Sequence, residues 1–169
     1  MSRNWPKHDY TVRDIKTFRG MEGEGFNATL CRDGRKVASV IDDATGGDVH
    51  FQWADARSRG AEEKRLLEFV KTLPRERWED TEYDVTSDVF LAALVDEAQT
   101  EKRLRRLFRN ETLFRLKGDR TDDDKWRILK VPFSLSVKAQ LVKTYGDSLT
   151  HVLNEDYPHL NPRSRKQSP

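Results

Sequence analysis

Apolar and polar positions alternate most cleanly between residues 20 and 53, GMEGEGFNATLCRDGRKVASVIDDATGGDVHFQW. Asp33-Gly34 stands between two strand-like runs there, residues 26–32 and 35–41. A two-residue Asp-Gly loop favours a type I′ turn, because both central residues must accept positive φ and the turn's twist matches the strands. With these two as the loop, Leu30 falls opposite Val37, Ala28 opposite Ser39 and Phe26 opposite Ile41, on one face of the pleat. Asn27, Thr29, Lys36 and Ala38 then point the other way. Gly46-Gly47 leads into Val49, Phe51 and Trp53, which alternate with Asp48, His50 and Gln52. That predicts a further strand with one apolar face. Upstream, Val12, Ile15 and Phe18 alternate less regularly and predict a first strand over residues 10–18, giving a meander of about four strands over 10–54.

From Gly60 the period changes. Leu66, Leu67, Val70 and Leu73 follow helical spacing, with Glu62 and Glu63 where the positive end of a helix dipole favours them. Pro74 closes that helix, and residues 75–83 read as charged and irregular. Asp84 or Thr86 can cap a second helix through Phe90, Leu91, Leu94, Val95 and Ala98. Its stripe then drifts to Leu104, Leu107 and Phe108, which predicts a break or bend near Thr100. Residues 112–117 and 125–131 read as a second strand pair, joined by the acidic connector GDRTDDD, whose length suggests mobility. Ser134 or Ser136 starts a last helix with Val137, Leu141, Val142 and Tyr145. Gly146-Asp147 interrupts it ahead of a short helical extension through Leu149, Val152 and Leu153. The order predicts an α+β fold: an antiparallel meander, two helices, a second strand pair and a C-terminal helix. The expected organisation is one domain over 1–155, with its meander at 10–54 and its helical and hairpin part at 60–155, then a flexible tail over 156–169.

Composition sharpens this in three ways. Charged residues make up 36% of the 169, so the surface is densely charged, yet the formal net charge is only +2. That lacks a nucleic-acid binder's overall excess and leaves room for a local patch. Cys31 is the single cysteine, so no intramolecular disulfide can form, and a cytoplasmic location is expected. No apolar run approaches the ~20 residues that span a bilayer, and MSRNWPKHDY has no apolar core of a secretory signal, so no membrane partner is expected.

The candidate chemistry is sparse. EKRLRRLFR, residues 101–109, is the densest basic stretch; Lys102, Arg105, Arg106 and Arg109 can spread over one helix side while Leu104, Leu107 and Phe108 face a core. Such a face suits a host protein or nucleic acid, although an amphipathic helix with a solvated charged side has the same pattern. Arg163, Arg165 and Lys166 can add to it. Glu22, Glu24, Asp48 and His50, with Asp42 and Asp43 nearby, are the residue types that hold a divalent metal ion in a hydrolase or nuclease. Their spacing matches no metal signature, and Asp and Gly are ordinary turn residues. GMEGEG lacks the Lys-Ser/Thr of a phosphate loop, and its glutamates oppose an anion. A Cys31–His50 pair has no evident third member. The four tryptophans form no stacking platform, and binding of a small nucleotide between sheet and helices stays open.

The runs F18-R-G-M-E-G-E-G-F, D33-G-R-K-V-A and D42-D-A-T-G-G, with T112-L-F-R-L-K-G, W126-R-I-L-K-V-P-F-S and Y145-G-D, resemble small uncharacterised proteins of phages and mobile elements. The resemblance covers most of the chain and implies an origin and a habit of binding host factors, with no catalytic residue carried over. The sequence therefore predicts a non-enzymatic binding or accessory protein without a cofactor, acting through the Lys102–Arg109 side. A metal-dependent hydrolase using Glu22, Glu24, Asp48 and His50 is the rival.

Overall fold

The computed structural model describes residues 5–120 and 125–162. It divides into two compact units, Met1–Gln99 and Thr100–Pro169, where the sequence suggested one domain. The fold is α+β.

In the first unit, β1 (Tyr10–Arg19), β2 (Glu24–Arg32), β3 (Arg35–Asp42) and β4 (His50–Trp53) form an antiparallel sheet in chain order. Asp33 and Gly34 take φ of 52° and 73°, the positive values that a type I′ loop demands. Arg32 pairs with Arg35 across it. The register beyond the loop differs from the expected one. A bulge at Val37 separates the pairs Cys31↔Lys36 and Leu30↔Ala38, so Ala28 faces Val40 and Phe26 faces Asp42. One extra residue on one strand exchanges the two faces of everything after it. Ala38 and Val40 are buried with Phe26, Ala28 and Leu30, while Ile41 turns outward, 38% exposed. A second irregularity, between Arg13 and Lys16, puts Asp14 at φ 55° on edge strand β1. A bulge with a charge is a common guard against edge-to-edge pairing.

The buried face packs on α1 (Arg59–Val70) and on α2 (Ser87–Leu107) through Leu66, Val70, Phe90, Leu91, Leu94 and Val95. Leu67, expected inside, is exposed. Arg32, at the end of β2, grips Glu62 of α1 with two hydrogen bonds of 3.0 and 2.7 Å, tying sheet to helix. Thr86 caps α2 by accepting from the Val89 amide at 3.3 Å, whereas Asp84 pairs with Arg75. The segment read as irregular holds a small hairpin, β5 (Glu76–Trp78) with β6 (Thr81–Tyr83). Arg77, Glu79, Asp80, Thr81, Glu82 and Tyr83 of this hairpin are exposed, which suits its charged composition.

No break interrupts α2 near Thr100. The stripe drifts because Phe90 to Val95 enter the first unit's core, while Leu104 and Phe108 enter the second's.

The second unit has a three-stranded antiparallel sheet in the order β8-β7-β9, with β7 (Thr112–Leu116), β8 (Arg127–Leu129) and β9 (Leu149–Val152). β9 replaces the helical extension expected after Gly146. It pairs with β7 instead, Phe114 with Val152 and Arg115 with His151. Successive β7 residues point to opposite faces. Leu113 meets Leu104, Phe108 and Leu160 on one side. Phe114 meets Val137, Leu141 and Val152 on the other, under α3 (Leu135–Tyr145), whose first turn Ser134 caps by accepting from the Val137 amide at 3.2 Å.

Asn154, fully buried on the short helix α4 (Leu153–Asp156), ties this unit together. Its Oδ1 accepts from the Leu113 amide at 2.8 Å, and its Nδ2 donates to Glu111 O and Asn161 Oδ1 at 3.3 and 3.1 Å. Asn161 returns a bond to Asn154 O at 2.8 Å. Residues 157–161, expected in a flexible tail, are therefore packed and hydrogen-bonded, with Leu160 buried. Residues 121–124 of the connector and 163–169 of the tail, including Arg163, Arg165 and Lys166, lie outside the described residues. Among the described residues no helix is long and apolar enough to cross a membrane.

Candidate functional site

The C-terminal turns of α2 present the basic stretch. Leu104 and Phe108 are buried and Leu107 half-buried, which orients this part of the helix. Lys102, Arg103, Arg105, Arg106 and the following Arg109 are all exposed. Lys102, Arg106 and Arg109 stand at i, i+4 and i+7, a single row on the side away from the core. Arg103 and Arg105 flank it. The one acid of the stretch, Glu101, lies off this row: it meets Arg105 Nη2 at 3.9 Å and His159 Nε2 at 3.1 Å. Lys102, Arg103, Arg106 and Arg109 make no ion pair with any described residue. Sequence reasoning named Lys102, Arg105, Arg106 and Arg109; the structure adds Arg103 and shows Arg105 partly compensated.

The unit boundary changes the meaning of the chain's small net charge. Residues 100–169 hold 16 Lys and Arg against 9 Asp and Glu, a net +7. Residues 1–99 hold 15 against 20, a net −5. Near-neutrality thus conceals one basic and one acidic unit, and a one-domain reading hides both.

On the same side of the second sheet as α2, the Arg115 guanidinium lies 4.1 Å over the Trp126 ring, and His151 meets that ring edge-on at 5.2 Å. Asp156 Oδ2 lies 2.8 Å from His151 Nε2. Trp126 is half-buried in this polar and aromatic group.

The acids of the first unit stand differently. The Glu22 amide donates to Ala44 O at 2.9 Å, which brings the 20–24 and 43–47 loops together, and its carboxylate lies across Gly46. Glu24 pairs in register with Arg19. Asp43 Oδ1 accepts from Thr45 Oγ1 at 2.7 Å and Thr45 N at 3.1 Å, and these bonds hold its carboxyl below the usual range. His50, 70% exposed at its side chain, lies 3.8 Å from Asp43. Asp48 is exposed. Burial, with Asp48 and Asp42 near, raises the carboxyl of Asp88, which accepts from the Val49 amide at 3.2 Å. Asp43, and Asp42 through its Oδ1 accepting from the Ala44 amide at 2.9 Å, cap the turn between β3 and β4, as Asp does in loops. Among the described residues no three His, Cys, Asp or Glu side chains are grouped to hold a metal ion.

Cys31 and His50 are not brought together. His50 pairs with Ile41, which pairs with Asn27, whereas Cys31 is four residues further along β2, about 13 Å at strand rise. Cys31 is buried.

Comparison with protein-family models, curated proteins and solved structures finds no match to this chain.

Proposed function

We propose that this chain is a non-enzymatic accessory protein, of phage or mobile-element origin, that binds nucleic acid through the phosphate backbone. The observation that carries the proposal is the row of Lys102, Arg106 and Arg109, with Arg103 beside it. These cations are exposed, have no ion-pair partner among the described residues, and sit on a unit of net charge +7. Four of the five basic side chains in the stretch are arginines, whose planar fork meets phosphate oxygens two at a time. Uncompensated cations on a rigid helix release counterions from a polyanion, which favours binding without a deep pocket. The origin rests on the likeness of the GMEGEGF and WRILKVPFS runs to small proteins of mobile elements.

The test is fluorescence anisotropy with labelled duplex and single-stranded oligonucleotides, comparing wild type with K102E/R106E/R109E. The variant should bind at least tenfold more weakly and keep its helical circular dichroism, since all three side chains are solvated. Equal affinity in a folded variant overturns the proposal.

A further inference from the structure

Three planar side chains lie level with one another across the second sheet. Arg115 of β7 pairs in register with His151 of β9. On the other side of β7, Phe114 pairs with Arg127, so the preceding residue, Trp126, comes level with Arg115. The contacts agree: the guanidinium lies 4.1 Å over the indole, and His151 meets that ring edge-on at 5.2 Å. Arg115 is two residues beyond Leu113 and so shares its face of the sheet. Trp126 packs on the same apolar cluster as Leu104, Leu107 and Phe108, the apolar residues of the basic stretch. The cationic row and the planar group therefore belong to one side of one unit.

The tryptophans form no platform among themselves, but the fold gives Trp126 a cation and an imidazole as neighbours. The indole stays half-buried and His151 exposed, so the group reaches solvent. The cation–π contact fixes the guanidinium plane before any ligand arrives, and Asp156, 2.8 Å from His151 Nε2, fixes the imidazole. Indole, imidazole and guanidinium planes are the surfaces on which unpaired bases stack. Bases of a duplex already stack on one another and present only their edges. We infer, on the backbone-binding reading above, that the Arg115–Trp126–His151 group receives an unpaired base of a strand whose phosphates follow Lys102, Arg106 and Arg109. The ligand is then single-stranded nucleic acid: the row on α2 holds its phosphates, and the planar group detects that its bases are free. One stacked base is worth roughly 5- to 150-fold in affinity.

Fluorescence anisotropy with the full-length protein tests this on three labelled probes of equal length: a thymidine strand, its abasic counterpart with the same phosphates, and a duplex. Wild type should bind the thymidine strand at least about fivefold more tightly than the abasic one. Trp126→Leu keeps apolar bulk and loses the ring face; Arg115→Lys keeps the charge and loses the plane. Each should bring the thymidine and abasic affinities together and lower the thymidine-to-duplex affinity ratio by about fivefold or more, and Trp126→Phe should restore part of the difference. The inference falls if wild type binds thymidine and abasic strands equally, or if both variants weaken all three probes alike. Failure of the backbone reading looks different: K102E/R106E/R109E would then bind the abasic strand as wild type does, and both readings would go. If Trp126→Leu does not fold, Arg115→Lys decides alone.

Discussion

Replacing Asn154 with Ala should unfasten the second unit and leave the first intact. The side chain is fully buried and makes three hydrogen bonds, one from the Leu113 amide of β7 and two from its own amide group. Loss of the acceptor orphans a buried N–H on the central strand of the sheet, at roughly 1–3 kcal/mol. Loss of the two donor bonds adds about 1 kcal/mol each. Asn161 loses one of its partners at the same time, so these contributions overlap, and about 3 kcal/mol is the expected cost. Hydrogen exchange read by mass spectrometry on peptides over 111–116 and 149–161 measures this locally. Exchange there should quicken roughly 100-fold, the factor that about 3 kcal/mol supplies when local opening is fast and reversible. Peptides over 26–42 should be unchanged. A change below about threefold at 111–116, or equal acceleration in both units, would refute the clasp as the element that fastens β7 to the C-terminal segment.

Further expectations concern the sheet and its anchor. The bulge at Val37 makes Val40→Asp severely destabilising, by about 4 kcal/mol or more for a carboxylate placed in the core, and Ile41→Asp milder, at about 1–2 kcal/mol, since Ile41 is partly exposed on an interior strand. Urea titration of both variants decides, and the opposite ranking would restore the bulge-free register. The Arg32 hydrogen bonds lower the Glu62 carboxyl below its ordinary 4.5. A depressed carboxyl stabilises the fold above the unfolded-state value, and that contribution is lost as pH falls through the folded-state value. Wild type should therefore lose stability from about pH 5 downward more steeply than E62Q, and parallel melting curves down to about pH 3 would contradict this.

How much was legible depended on how local each signal is. The Asp33-Gly34 turn was readable because its conformation is a property of two residues. The bulge four positions later was not, since Val37, Ser39 and Ile41 alternate as plausibly as Ala38 and Val40, and only the helices packed above the sheet choose between them. Leu149–Val152 reads as helical from sequence because it follows a helix closely; β7 lies more than thirty residues earlier and is what draws it into a strand. The drift of the α2 stripe was visible as an anomaly, but its cause, two cores served by one helix, requires the tertiary partners. Asn154 carried no signal in LNED. For the candidate site, the basic residues were legible from spacing alone. Their lack of compensating acids was not, because Glu101 had to be seen turned toward Arg105 and His159, and the +7 and −5 units were masked by a total of +2.

The salt dependence of oligonucleotide binding tests the central claim most directly. For wild type, the logarithm of the binding constant should fall linearly with the logarithm of salt concentration. Because each backbone contact contributes about 0.9 to that slope on duplex and about 0.7 on single strands, K102E/R106E/R109E should lower it by about 2–3. A salt slope and affinity unchanged in the folded triple variant would contradict the assignment of the Lys102–Arg109 face as the nucleic-acid surface.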